Sequence, residues 1–163
     1  MAEAIALLAF VTLQRLAELA WSRRNEARLK ALGAYEVGAA HYPAMVVLHT
    51  AWLACLWLLG WERPVALVWF AVFVLLQLGR AWVLATRKGR WTTRVIVLPG
   101  ETLQRRGPYR FVRHPNYLVV ALEIPVLPLA LGLPWVAFVF GFANLAMLAW
   151  RIRVEDRALA SAR

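Results

Sequence analysis

A polar loop that runs into an apolar segment carries most of the side chains that could do chemistry. Residues 107–117 read GPYRFVRHPNY and include Tyr109, Arg113, His114 and Tyr117. Arginine holds carboxylate and phosphate groups through charge-assisted hydrogen bonds, and histidine can exchange a proton near neutral pH. The pattern predicts either a binding site for a charged ligand or a basic anchor that contacts anionic lipid head groups.

The backbone of this loop is interrupted at two places. Gly107-Pro108 is a turn signal, and Pro115 fixes the backbone directly after His114. Loop 87–117 is also longer than a simple connector requires. We therefore expect it to hold polar groups in fixed positions close to the apolar segment.

Glu123 lies inside the apolar segment that follows the loop. An ionisable side chain within a membrane span costs a few kcal/mol, so it faces a partner or a polar cavity by default. Arg80, late in another apolar segment, is an available partner. Two readings stay open, a structural Glu123–Arg80 ion pair and a wall of a functional site that reaches the basic loop.

A second polar group follows the last apolar segment. Arg151 and Glu155 stand four residues apart, which places them on one face of a continuing helix. The pair is either a surface ion pair or the closing side of a pocket shared with the basic loop.

The composition identifies a membrane protein. Of the 163 residues, 62% are apolar and 17% charged, yet the formal net charge is +10. Typical globular chains have about 45–50% apolar residues and about 25% charged residues. This composition excludes a disordered chain and a soluble nucleic-acid binder, and the single Cys55 excludes a disulfide scaffold. We predict an all-α integral membrane protein.

Five helical spans account for the apolar residues. A helix needs about 20 residues to cross the hydrocarbon core. Residues 118–150 are too long for one crossing, and Leu131-Gly132-Leu133-Pro134 offers a turn and a helix start. The predicted spans are 4–21, 43–61, 64–86, 118–131 and 134–150, within a single domain of residues 1–163.

The distribution of positive charge predicts the orientation. With the N-terminus outside, sixteen of the nineteen basic residues fall in 22–42, 87–117 and 151–163, and these stretches are then cytosolic. Loop 87–117 and a C-terminal helix over 151–163 would thus lie on the same side. No metal site is predicted, because the three histidines and Cys55 have no ligand spacing.

The motif GPYRFVRHPNY, a glutamate in the next span and RIRVEDRAL after the last one resemble the isoprenylcysteine carboxyl methyltransferase family over residues 80–160. The resemblance implies S-adenosylmethionine as cofactor and a lipophilic acceptor that enters from the bilayer. It implies a cofactor site formed by Tyr109, Arg113, His114, Pro115, Tyr117 and Glu155. It also implies that His114, Glu123, Arg151 and Glu155 act in catalysis.

The acceptor stays open at this point. GAYEVGAAHYP and RWTTRVIVLPG are similar to a bacterial branch associated with type III polyketide synthases, whose members methylate alkylpyrone or alkylresorcinol hydroxyls. A prenylcysteine-like carboxylate needs no base, whereas a hydroxyl must lose its proton, and His114 or Glu123 is then the candidate base. The expected location is the bacterial cytoplasmic membrane, with the site facing the cytosol.

Two alternative functions remain. Membrane sterol and steroid reductases carry a similar RHPNY loop and use it to hold NADPH. A non-catalytic lipid-binding subunit would use the same basic loop to hold head groups.

Overall fold

Five helices make up most of the chain. The computed structural model describes residues 1–100 and 105–161. Residues 101–104 of the predicted loop and 162–163 of the predicted C-terminal helix lie outside the described residues. The helices are α1 (Ala2–Ala31), α2 (His41–Gly60), α3 (Leu67–Arg87), α4 (Pro115–Ala130) and α5 (Pro134–Ser161).

The helices present apolar surface outward, as a membrane protein does. Within the described ranges, α1, α2, α3 and α5 are long and apolar enough to cross a membrane, and α4 is a shorter apolar helix. Leu58, Leu67, Val68 and Trp135 are each at least 75% exposed. Such surface is costly in water and favourable against lipid. The predicted all-α membrane class is confirmed, while the number of spans and the outside N-terminus stay predictions.

Helix α1 continues well past its predicted end at residue 21. Its polar extension is built from good helix formers and packs against the segment after α3. Asn25 donates to the carbonyl of Trp91 at 2.8 Å, and Ser22 Oγ accepts from the backbone N–H of Thr93 at 2.8 Å. The predicted continuation of the last span into a polar helix is confirmed, because α5 runs unbroken beyond Arg151.

A short strand pair, absent from the predictions, joins the two polar connections. β1 (Tyr35–Glu36) pairs antiparallel with β2 (Ile96–Val97). An ion pair of 2.6 Å between Arg94 and Glu36 reinforces it, and this carboxylate raises the pKa of Arg94. The pair ties the segment before α2 to the segment after α3 on one side of the bundle.

Helix α4 contains two prolines and remains helical. Pro128 has no N–H, so it leaves the carbonyl of Ile124 without its usual helical donor. The indole N–H of Trp52 supplies that bond at 3.0 Å, which fixes α2 against α4 in the core.

The predicted turn between α4 and α5 is confirmed. Leu133 N donates to the carbonyl of Pro128 at 2.9 Å, Gly132 has a φ of +67°, and Pro134 begins α5. This tight turn makes α4 and α5 antiparallel neighbours. The start of α4 therefore lies beside the polar end of α5.

Candidate functional site

A hydrogen-bonded cluster joins the start of α4 to the polar end of α5. Tyr117, in the first turns of α4, donates its hydroxyl hydrogen to Glu155. Arg151 Nε donates to the same hydroxyl oxygen at 2.8 Å, with its guanidinium 5.3 Å from the ring centre. The helical spacing predicted for Arg151 and Glu155 thus brings both side chains to Tyr117, and the cluster stands between two helices rather than on a surface.

His114 forms the outer edge of this cluster. It is the residue directly before α4, and Pro115 occupies the first helical position, where the missing N–H is harmless. The imidazole stacks on the ring of Tyr117, with centroids 5.2 Å apart. Its Nδ1 lies 4.0 Å from Glu155 Oε2 and its Nε2 lies 3.5 Å from Asp156 Oδ1. Both ring nitrogens therefore face carboxylates of α5.

Helix α2 brings residues next to the cluster that are absent from the predicted site. Arg151 Nη1 lies 2.9 Å from Met45 Sδ, and Arg151 is only 7% exposed. His41 is 1% exposed and packs edge-on against Trp150, at a centroid distance of 6.2 Å. His41 and Met45 are one turn apart on α2, so the i, i+4 spacing was the available signal.

Among the described loop residues, Tyr109, Arg113 and Pro115 take no part in the hydrogen bonds of this cluster. Tyr109 lies in a 3₁₀ turn, Gly107–Arg110, with Arg87 5.8 Å from its ring centre. Burial raises the pKa of the Tyr109 phenol, against the opposing effect of Arg87. Pro115 is buried, and Arg113 is exposed with no carboxylate of the described residues in ion-pair distance.

A cavity of about 390 Å³ lies beside the 3₁₀ turn. Its lining combines the end of α3 with the basic loop and consists of Ala85, Thr86, Lys88, Arg106 and Gly107. Gly107 has a φ of +58°, and a Cβ there would overlap the Thr86 side chain. Glycine is therefore required for this turn to approach α3.

Glu123 lies elsewhere, in a buried cluster of charges. Its Oε1 accepts from Arg15 at 2.7 Å and from Gln77 at 2.7 Å, and its Oε2 accepts from Arg80. Glu18 Oε2 lies 3.0 Å from Arg80 and 3.2 Å from Arg15. The predicted Glu123–Arg80 pair is present and belongs to a balanced set of two arginines and two glutamates.

The predicted site residues therefore divide into two groups. The first is the site cluster, which we define as His114, Tyr117, Arg151 and Glu155. Glu123 is six residues further along α4 than Tyr117, about 9 Å at 1.5 Å per residue, and both of its oxygens are occupied. In the described part of the chain, no three His, Cys, Asp or Glu side chains gather where a metal ion could bind.

Comparison with known proteins identifies the family of this chain. The sequence profile of the isoprenylcysteine carboxyl methyltransferase family matches residues 66–161, from α3 to the end of α5. The chain belongs to this family. It is also 38% identical to the uncharacterized protein YpbQ of Bacillus subtilis (strain 168), over 94% of each chain.

A second relative of this chain has a lower sequence identity. An uncharacterized protein of Haemophilus influenzae (strain ATCC 51907 / DSM 11121 / KW20 / Rd) is 25% identical, over 89% of this chain and 88% of its own. No solved structure shows a significant match. The family match covers all four residues of the site cluster, whereas His41 and Met45 lie outside it.

Methyltransferases of the isoprenylcysteine family use S-adenosylmethionine, and the site cluster fits the polar end of that molecule. His114 Nε2 and Asn116 Oδ1 are buried and make no hydrogen bond within the described residues. Buried polar atoms are normally bonded, so these two are free for a ligand. Glu155 and Asp156 suit an ammonium group, and the exposed Arg113 suits a carboxylate.

Proposed function

We propose that this protein is an integral membrane O-methyltransferase that uses S-adenosylmethionine. The acceptor is a lipophilic molecule that enters from the bilayer, and its reacting oxygen belongs to a carboxylate or a hydroxyl group. The protein lies in a bacterial cytoplasmic membrane with the site cluster toward the cytosol, and residues 1–163 act as one domain.

The observation that carries the proposal is the hydrogen-bonded set of Tyr117, Arg151 and Glu155, within the segment that matches a methyltransferase family. It lies where apolar helices meet the basic loop. A methyltransferase for lipophilic acceptors needs such a place, because its cofactor is polar and its acceptor is not. A lipid-anchoring role for the basic loop would not require a buried arginine held between α2, α4 and α5.

The chain's own residues would bind and orient the reactants. Glu155 and His114 would bind the ammonium end of the cofactor, and Arg113 its carboxylate. Tyr109 and Pro115 would shape the pocket, and Arg151 would hold the acceptor end. When bound, the sulfonium of S-adenosylmethionine supplies an activated methyl group. The protein then contributes alignment of methyl and acceptor oxygen and exclusion of water.

Two acceptor classes agree with these features. A prenylcysteine-like carboxylate is already an anion and needs only a cation such as Arg151 to orient it. A long-chain alkylpyrone or alkylresorcinol hydroxyl, as in the bacterial branch that the sequence resembles, also needs a proton acceptor.

Calorimetric titration of the detergent-purified chain with S-adenosylhomocysteine tests the proposal, with NADPH titrated separately. We expect S-adenosylhomocysteine to bind and NADPH not to bind. His114→Ala and Glu155→Ala should abolish binding. Arg153→Ala is the matched control, because Arg153 is exposed on the same helix as Glu155 and should bind like the unmodified chain.

Three outcomes would contradict the proposal. Binding of NADPH without S-adenosylhomocysteine would favour a reductase. Absence of both in a folded sample would leave no catalytic role for the site cluster. Binding that survives both site variants would place the cofactor elsewhere.

A further inference from the structure

Of the two bases predicted from sequence, Glu123 is engaged by other groups and His114 belongs to the proposed cofactor site. Glu123 accepts hydrogen bonds on both oxygens from Arg15, Gln77 and Arg80. His114 directs both nitrogens toward the carboxylates of Glu155 and Asp156. Both oxygens of Glu123 are thus occupied, and the proposed function uses His114 to hold the ammonium end of the cofactor. If the acceptor is a hydroxyl, its proton must go to another group.

His49 lies on the inward face of α2, one helical turn after Met45, which contacts Arg151 of the site cluster. Its neighbours on this face include His41, Met45 and Trp52, at helical spacings of three and four residues. Met45 contacts Arg151, and Trp52 donates to the carbonyl of Ile124. Along the length of α2, His49 therefore lies between the level of Arg151 and the level of Glu123. It is about 6 Å along α2 from Met45, at four residues of 1.5 Å each.

The hydrogen bond of His49 leaves one nitrogen available as a base. Its Nδ1 lies 2.8 Å from the carbonyl oxygen of Met45. A carbonyl only accepts, so Nδ1 carries the hydrogen, and in the neutral ring Nε2 carries the lone pair. Nε2 makes no hydrogen bond with any described residue, and the side chain is only partly buried. The imidazole is thus fixed at one nitrogen and free at the other.

Arg151 is the positive charge near His49 that favours an oxygen anion in front of it. Arg15, Arg80 and Arg151 all act electrostatically on the imidazole. Arg15 and Arg80 are balanced by the carboxylates of the buried cluster, whereas Arg151 is balanced only through Tyr117 and Glu155. Fixed positive charge of this kind stabilises an oxygen on which negative charge develops.

We propose that His49 is a further catalytic residue, the base that removes the proton from a phenolic or enolic hydroxyl of the acceptor. The inference rests on the proposed function and names its substrate class. His49 Nε2 takes the hydroxyl proton, the oxygen electron pair forms a bond to the methyl carbon, and the carbon–sulfur bond of the sulfonium breaks. The products are the methyl ether, S-adenosylhomocysteine and an imidazolium, which returns its proton to solvent.

The position of His49 suits this class of acceptor. A long alkyl chain can remain among the apolar helices while the ring that carries the hydroxyl reaches the level between Met45 and Glu123. A phenol has a pKa of about 10, near that of tyrosine, so little of it is ionised at neutral pH without a base.

The first test measures proton transfer without turnover. A nitrophenol that carries a long alkyl chain is added to the full chain in detergent with S-adenosylhomocysteine, below the pKa of the phenol. The coloured phenolate should form with the unmodified protein and with Thr50→Ala, a control on the exposed face of the same helix. His49→Gln should form none. Absence of phenolate with the unmodified protein would overturn the inference, and this arm needs no variant.

The second test follows methyl transfer to 5-pentadecylresorcinol, a phenol, and to N-acetyl-S-farnesylcysteine, a carboxylate. His49→Gln should lower kcat for the phenol about 100-fold or more, the usual effect of losing a general base, and leave the affinity for S-adenosylhomocysteine unchanged. Three results would overturn the inference. They are unchanged phenol methylation by His49→Gln, a loss of S-adenosylhomocysteine affinity as large as the loss of kcat, and an unmodified protein that methylates only the carboxylate. Failure of the unmodified protein to bind S-adenosylhomocysteine would instead refute the proposed function on which the inference rests.

Discussion

Arg151 Nε donates to the hydroxyl oxygen of Tyr117 at 2.8 Å, and the same hydroxyl donates onward to Glu155. The phenol therefore stands between a cation and a carboxylate that are one turn apart on α5. This arrangement keeps Arg151 and Glu155 from pairing directly. It also leaves part of the Glu155 carboxylate, 20% exposed, available to a ligand.

Tyr117→Phe should weaken cofactor binding while it preserves the fold. The substitution keeps the ring that stacks on His114 and removes the hydroxyl that holds Glu155. Hydrogen bonds to charged groups contribute about 1.5–3 kcal/mol, so we expect the affinity for S-adenosylhomocysteine to fall about tenfold or more in calorimetric titration. Tyr35→Phe, on an exposed tyrosine, is the control. An unchanged affinity for Tyr117→Phe would show that Glu155 needs no positioning.

Glu123→Gln should destabilise the chain without a matching loss of cofactor affinity. The substitution leaves Arg15 and Arg80 opposed by Glu18 alone, and breaking a buried pair costs about 3–5 kcal/mol. Unfolding in mixed detergent measures the loss. The double variant Arg15→Met, Glu123→Gln restores the balance of charge and should recover part of the stability. If Glu123→Gln instead abolished the binding of S-adenosylhomocysteine in a sample that stays folded, Glu123 would belong to the catalytic site as the sequence predicts.

The sequence was sufficient for the features that depend on composition and local spacing. Apolar runs predicted the helices, Leu131–Pro134 predicted the turn between α4 and α5, and the four-residue spacing predicted that Arg151 and Glu155 share a face. Once α4 and α5 are known to be antiparallel, the meeting of Tyr117 with Arg151 follows. The membrane class and the family were therefore readable from the chain alone.

The sequence was not sufficient for features that depend on how helices are rotated against each other. Arg15 and Glu18 are charges inside the predicted span 4–21 that hydropathy counts against it, yet Arg15 pairs with Glu123 and Glu18 pairs with Arg80 across helices. Met45 carries no polar signal, and its contact with Arg151 requires a particular rotation of α2. Hydropathy describes one segment at a time and contains no information on its neighbours.

Gly38→Ala should loosen the segment before α2 from α5. Gly38 has a φ of +64°, and an added Cβ would overlap Val154 and lie 3.2 Å from His41 Nδ1. Gly33 is the matched control, since its φ is +90° but nothing lies within 4 Å of the added Cβ. Both variants bear the strain of a left-handed backbone, about 1–2 kcal/mol, and only Gly38→Ala should also weaken the binding of S-adenosylhomocysteine. Equal thermal shifts and equal affinities for the two variants would show that this segment does not support the site.

Trp52→Phe should destabilise the bundle through a single carbonyl. The indole bond to Ile124 replaces the donor that Pro128 cannot supply, so its loss leaves a buried carbonyl unpaired at a cost of about 1–3 kcal/mol. Pro128→Ala returns a backbone N–H to that position. In a double-mutant cycle, measured by unfolding in mixed detergent, Trp52→Phe should therefore cost less in the Pro128→Ala background than in the unmodified chain. Strictly additive losses would mean that Trp52 stabilises the core by packing alone and that the α2–α4 contact does not depend on the proline.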